Sequence, residues 1–205
     1  QSQTLPVSTP NGLPGIPVTS GGNYTDADGQ QWVCDEVDFA RGKYIQRVKM
    51  LEFDGTEVWY STVTNTTEIY RWYLKPDNIK TPSSPNIAIA IYSTHYPAKA
   101  ASSTWLREQG VSVDNNSSLI FYDDSHNTTA GDWKSYLAAQ KVAGTPVKVM
   151  YELEVPVKTD IPEETIEAYK SLKIYAPMTN IMTDSTPAAG LAVRTKVHRQ
   201  QTQYH

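Results

Sequence analysis

The stretch Val147–Val157 constrains the fold more than any other part of this chain. Val147, Val149, Tyr151, Leu153, Val155 and Val157 share one parity, and Lys148, Glu152 and Glu154 take the other, with Met150 and Pro156 as exceptions. A period of two over that length is a β-strand, because successive side chains of a strand point to opposite faces. One face is apolar and the other charged, so the strand is expected to be half buried, with one wet face.

A half-buried strand of this length needs partners, and the rest of the chain supplies them. Trp32-Val33-Cys34 continuing through Asp35 to Asp38, Tyr44–Met50, Glu57–Val63, Glu68–Lys75, Leu119–Tyr122 and Leu191–Val197 all read as strands. Val, Ile, Thr and Tyr are plentiful, which suits a pleated, half-buried surface. Asn86–Ser93 alternates Ile with Ala and is apolar on both faces, so it is expected as a central strand covered on both sides. Turn signals separate these runs, among them Asp26-Ala27-Asp28-Gly29, Ala40-Arg41-Gly42-Lys43 and Asp54-Gly55.

Two segments have helical spacing. From a cap at Asp132 to about Lys141, Trp133, Tyr136, Leu137 and Gln140 fall three and four apart. Asp160-Ile161-Pro162-Glu163 opens a second helix over Glu164–Lys170, with the proline in the first turn, where it is tolerated. Ser103–Gln109 has room for one further helical turn. The fold class expected is therefore all-β: an antiparallel β-sandwich, jelly-roll-like, with two short helices.

Residues 1–23 contain Pro6, Pro10, Pro14 and Pro17 with Gly12, Gly15, Gly21 and Gly22. Proline removes a ladder donor, so this stretch is expected as an extended N-terminal arm or linker. Residues 24–205 form the sandwich domain, within which 24–50 is a candidate hairpin subdomain. Gln1 reads as a cut end.

Composition excludes several function classes. The net charge is −4 and Lys and Arg are scattered, which argues against nucleic acid. No apolar run reaches the roughly 18 residues a membrane helix needs. A single cysteine, Cys34, rules out an internal disulfide. Beside Val33 it is expected to be a buried, inert thiol. His95, His126, His198 and His205 show no metal-ligand spacing. Asp35, Glu36 and Asp38 are a candidate Ca²⁺ cluster, but alternation puts Asp35 on one face and Glu36 and Asp38 on the other, so an acidic outer face is the better reading. There is no nucleophile elbow and no phosphate-cradling glycine loop. Neither a metal nor a cofactor is expected, and no catalytic residue is nominated.

The aromatics are the remaining candidates for function. Trp59, Tyr60, Tyr70, Trp72, Tyr73, Tyr92, Tyr96 and Trp105 crowd the middle third. Tryptophan and tyrosine faces stack on sugar rings, while neighbouring polar groups bond the hydroxyls. The competing reading is core, since aromatics dominate burial. In Glu68–Lys75, Ile69, Arg71 and Tyr73 share one face and Tyr70, Trp72 and Leu74 the other, so one ring-bearing face is expected to be buried. Trp59, Trp72, Tyr73, Tyr96 and Trp105 are the candidate ligand-binding residues.

Longer blocks carry a resemblance. SGGNYTDADGQQWVCDEVDFARGKYIQRV at 20–48, LPVSTPNGLPGIPV before it, DWKSYLAAQ and VKVMYELEVPVKTDIPEETIEAYKSLKIYAPMTNI resemble tail-associated minor structural proteins of tailed bacteriophages and prophages of Gram-positive bacteria. The matching blocks cover about half the chain, and residues 51–130 are only loosely similar. That family's Asn-Asp-Ala-Gly-Ala ending is replaced here by Thr183 to Gly190. The resemblance implies a virion part from a tail tip, baseplate or fibre. It implies other tail proteins as partners, homo-oligomerisation, and contact with host cell-wall polysaccharide. It implies no active-site motif, so the protein is expected to bind rather than catalyse. A purely architectural component and, less favoured, a glycan-cleaving enzyme are the rival readings.

Overall fold

A computed structural model describes residues 9–10, 12–63, 70–84, 87, 89–100, 109–123, 129–175, 181–183 and 193–195. The fold is dominated by antiparallel β-sheets and carries two short helices. The strands are β1 (Gly15–Val18), β2 (Tyr24–Thr25), β3 (Gln31–Cys34), β4 (Glu36–Asp38), β5 (Lys43–Glu52), β6 (Tyr60–Val63), β7 (Tyr70–Leu74), β8 (Ile91–Ser93), β9 (Gly110–Val113), β10 (Leu119–Asp123), β11 (Lys148–Asp160), β12 (Ile181–Thr183) and β13 (Val193–Thr195). Helix α1 (Ala130–Val142) precedes β11, and α2 (Glu163–Tyr175) follows it. The helical turn expected at Ser103–Gln109 falls mostly outside the described residues.

Two four-stranded sheets, ordered β6-β7-β10-β9 and β4-β5-β11-β8, share one core with α1. Trp72, Val111, Leu119 and Phe121 enter it from the first sheet, and Ile91, Val149, Tyr151 and Leu153 from the second. Trp133 and Leu137 of α1 complete it. Trp133 is the hub. Trp59 meets it edge-on at 5.4 Å, Trp72 stacks at 6.2 Å, and Phe121 and Tyr96 lie at 5.5 and 6.0 Å. Edge-to-face and offset pairs at these distances suit the ring quadrupole and add to what area burial contributes. The α1 N-terminus is capped by Thr129, and Asp132 is the third helical residue of a capping box. The Asp132 amide donates to Thr129 Oγ1 at 3.2 Å, and the Thr129 amide donates to Asp132 Oδ2 at 3.1 Å.

The long strand departs from its expected pattern in two ways. Met150, on the face expected to be wet, is buried against Ile16, Val33 and Val48, because the three-stranded sheet β1-β3-β2 covers that end. Beyond Leu153 a register shift against β5, between Glu152 and Val157, breaks the alternation. Val155 and Val157 are left exposed.

Three other expectations change. Ile91–Ser93 is an edge strand rather than a central one, paired only with β11 in its sheet. Gly15–Val18, within the stretch read as an arm, pairs with β3 at the edge of its sheet, a position where a proline such as Pro17 is tolerated. The run from Trp32 to Asp38 is not one strand: β3 and β4 belong to different sheets, and the chain changes sheet at Asp35. The buried Asp35 carboxylate takes over where β4 stops. Its Oδ1 accepts the backbone N–H groups of Arg47 (2.7 Å) and Val48 (3.0 Å), and its Oδ2 accepts the Tyr44 hydroxyl. Burial pushes the Asp35 carboxyl above the usual aspartate value, against those three hydrogen bonds.

Candidate functional site

Strand β7 places rings on both its faces, and the two sets have different surroundings. Trp72 and Leu74 point into the shared core. Arg71, Tyr73 and Lys75 have the opposite parity. Tyr73 lies directly across from Tyr60 of β6, and the two rings stack at 5.5 Å with an interplanar angle of 28°. Tyr60 is 53% exposed. A stacked tyrosine pair at a sheet surface is rigid and amphipathic and holds its shape without a ligand.

Two hollows flank this pair. A cleft of about 780 Å³ runs along the seam between the two four-stranded sheets. Leu51 of β5, Phe53 just beyond it, Tyr60, Tyr73, Asp77 and Tyr151 of β11 line it. Two of its three acids, Glu52 and Glu57, are committed. Glu52 pairs with Lys141, and with Lys148 at 2.8 Å, and these ammonium groups hold its carboxyl below the usual range. Glu57 accepts the backbone N–H groups of Asp54 (2.9 Å) and Gly55 (3.1 Å), which fixes the turn into β6. The Tyr151 hydroxyl is buried and makes no hydrogen bond. Desolvation, with a smaller contribution from the charge of Asp77, pushes it up to about 12.

The second hollow, of about 620 Å³, lies on the outer face of the β6-β7-β10-β9 sheet. Arg71, Tyr73, Lys75 and Ile120 meet the β9–β10 turn there. Asp114 holds that turn: its Oδ1 accepts the N–H groups of Asn116 and Ser118, both at 2.9 Å, and Ser117 sits at φ 62°. The Arg71 guanidinium lies 5.3 Å from the centre of the Tyr122 ring. Tyr73 and Lys75 line both hollows.

The five nominated residues are thus dispersed. Trp59, Trp72 and Tyr96 are buried around Trp133 and offer no free face to a ligand. Tyr73 stands at the junction of the hollows. Trp105 lies outside the described residues. Tyr60, Arg71, Lys75 and Ser118 were not nominated, although the shared parity of Arg71, Tyr73 and Lys75 was a signal for two of them. The acidic cluster is split: Asp35 is buried, while Glu36 pairs with Arg47 and Asp38 with Arg41, both at 2.9 Å. Among the described residues no group of three or more His, Cys, Asp or Glu is placed to hold a metal. Cys34 is buried and its thiol is pushed up to about 11 by desolvation, so it is held protonated.

No family model, curated protein or solved structure matches this chain.

Proposed function

We propose that this chain is a structural and adhesion module of a bacteriophage tail, which binds a host cell-surface glycan through the outer face of β7. Two four-stranded sheets on one core support reading the body as a β-sandwich with jelly-roll-like character. The observation that carries the binding site is the Tyr60–Tyr73 stack, in which Tyr60 is exposed and the half-buried Tyr73 lines both hollows. Sugar C–H faces stack on such rings, and the Asn, Ser and Lys side chains around them suit hydroxyl recognition. Weak binding per site is enough, because repeated copies on a particle multiply avidity. Homo-oligomers in a virion would serve that end.

A purely architectural role is the second reading, and Val155 and Val157 favour it. They leave an exposed apolar stretch on β11 that a neighbouring virion protein could cover. A glycan-cleaving role is less supported. A general acid needs a raised pKa, and Glu52 in the cleft is shifted the other way.

The test applies the full chain to a glycan array and to host cell walls. The proposal expects binding that Tyr60→Ala/Tyr73→Ala abolishes while the melting temperature stays near that of the parent. Undiminished binding in that variant overturns the site.

A further inference from the structure

Several of this protein's described cations have acidic partners, and others, Lys49, Lys134 and Lys158 among them, show no ion pair among the described residues. Arg41, Lys43, Arg47, Lys80, Lys141 and Lys148 each make an ion pair. Arg71 and Lys75 make none among the described residues, although the chain carries a net charge of −4. Both line the outer hollow, Arg71 in β7 and Lys75 one residue past its end, with the same parity as Tyr73 and on either side of it. Four residues at strand spacing separate them by about 13 Å, with the ring midway. The acid in that hollow, Asp114, already spends Oδ1 on two backbone N–H groups. Ser118, a residue only 4% exposed, also lines the hollow. The Arg71 guanidinium lies over the Tyr122 ring, 5.3 Å from its centre.

We infer that the ligand of this face is an anionic saccharide, whose ring lies on Tyr73 and whose carboxylate or phosphate groups are received by Arg71 and Lys75. This rests on the glycan-binding reading above and narrows it to a charge class. A neutral glycan would leave both cations without a counter-charge. An acidic one supplies charge-assisted hydrogen bonds at both ends of the ring platform.

Titration calorimetry with the full chain tests this using two polymers and their neutral counterparts: polygalacturonate against its methyl ester, and phosphomannan against dephosphorylated mannan. The inference expects one acidic polymer to bind about tenfold or more tightly than its neutral form, the equivalent of one strong ionic contact. Which polymer binds distinguishes carboxylate from phosphate. Arg71→Gln/Lys75→Gln should reduce that affinity to the neutral level, whereas Lys158→Gln, an exposed lysine outside the hollow, should leave it unchanged. Should Arg71→Gln lower the melting temperature, Lys75→Gln alone carries the test and should still weaken acidic-polymer binding several-fold. Equal binding of acidic and neutral forms, or acidic binding that ignores both variants, overturns the charge assignment and leaves the glycan reading standing. Failure to bind any of the four polymers, or any glycan on an array, overturns both.

Discussion

The two faces of β7 carry the same kind of side chain to opposite ends. Trp72, 1% exposed, stacks on Trp133 in the core, whereas Tyr73, one residue on, stacks on the exposed Tyr60 at the surface. Ring content alone therefore says nothing about ligand binding. What decides is whether another layer covers the face. On the inner side α1 supplies that layer through Trp133 and Leu137. On the outer side Ile120 and Tyr122 of β10 are buried with Tyr73 packed against them, but two hollows remain open around Tyr73 and Lys75. Stability should accordingly depend on the inner set and binding on the outer one.

The largest effect is expected inside. Trp72→Ala removes a fully buried ring from the aromatic cluster and should cost about 3–5 kcal/mol in a denaturant melt. A loss below about 1 kcal/mol would erase the distinction between the faces.

Asp35→Ala comes next, because it strips the acceptor from two backbone N–H groups and from the Tyr44 hydroxyl at the change of sheet. The expected cost is about 2–4 kcal/mol near pH 4. The folded-state pKa of Asp35 is raised, so its contribution is full below the ordinary value of 3.8 and is lost as pH rises through the folded value. The parent should therefore lose stability relative to Asp35→Ala across that window, which parallel melts at stepped pH would show.

A smaller effect of opposite sign sharpens the contrast. Tyr151 faces the seam cleft with a buried hydroxyl that bonds nothing. Tyr151→Phe removes that cost and should raise stability by about 1 kcal/mol. A fall of that size would mean the hydroxyl has a partner. Smallest of all in stability is Tyr73→Ala, expected to cost about 0.5 kcal/mol, in line with loss of one partly exposed cross-strand ring pair.

Much of the local structure was legible in the chain. Alternation in Val147–Val157 marked β11, the turn at Ala40–Lys43 set off Tyr44–Met50 as the strand β5, and three-and-four spacing put Trp133 and Leu137 on one side of α1. What escaped depends on partners far along the sequence. The hand-over at Asp35 requires knowing that β5 brings the amides of Arg47 and Val48 there. The short β8 read as central because Ile and Ala look buried on both faces, yet coverage comes from packing rather than from pairing on both edges. The site was half legible. Parity grouped Arg71 with Tyr73 against Trp72 and Leu74, but a period of two cannot say which group faces in. That was set by a helix more than fifty residues later, and its Trp133 claimed Trp59, Trp72 and Tyr96 for the core.

The most direct test pairs binding with stability in one protein. Parent and Tyr60→Ala/Tyr73→Ala are compared for retention on host cell-wall polysaccharide and for melting temperature in the same buffer. The account predicts lost retention with a melting temperature within a few degrees of the parent. Retention that survives the loss of both rings, or that disappears only together with the fold, would contradict it.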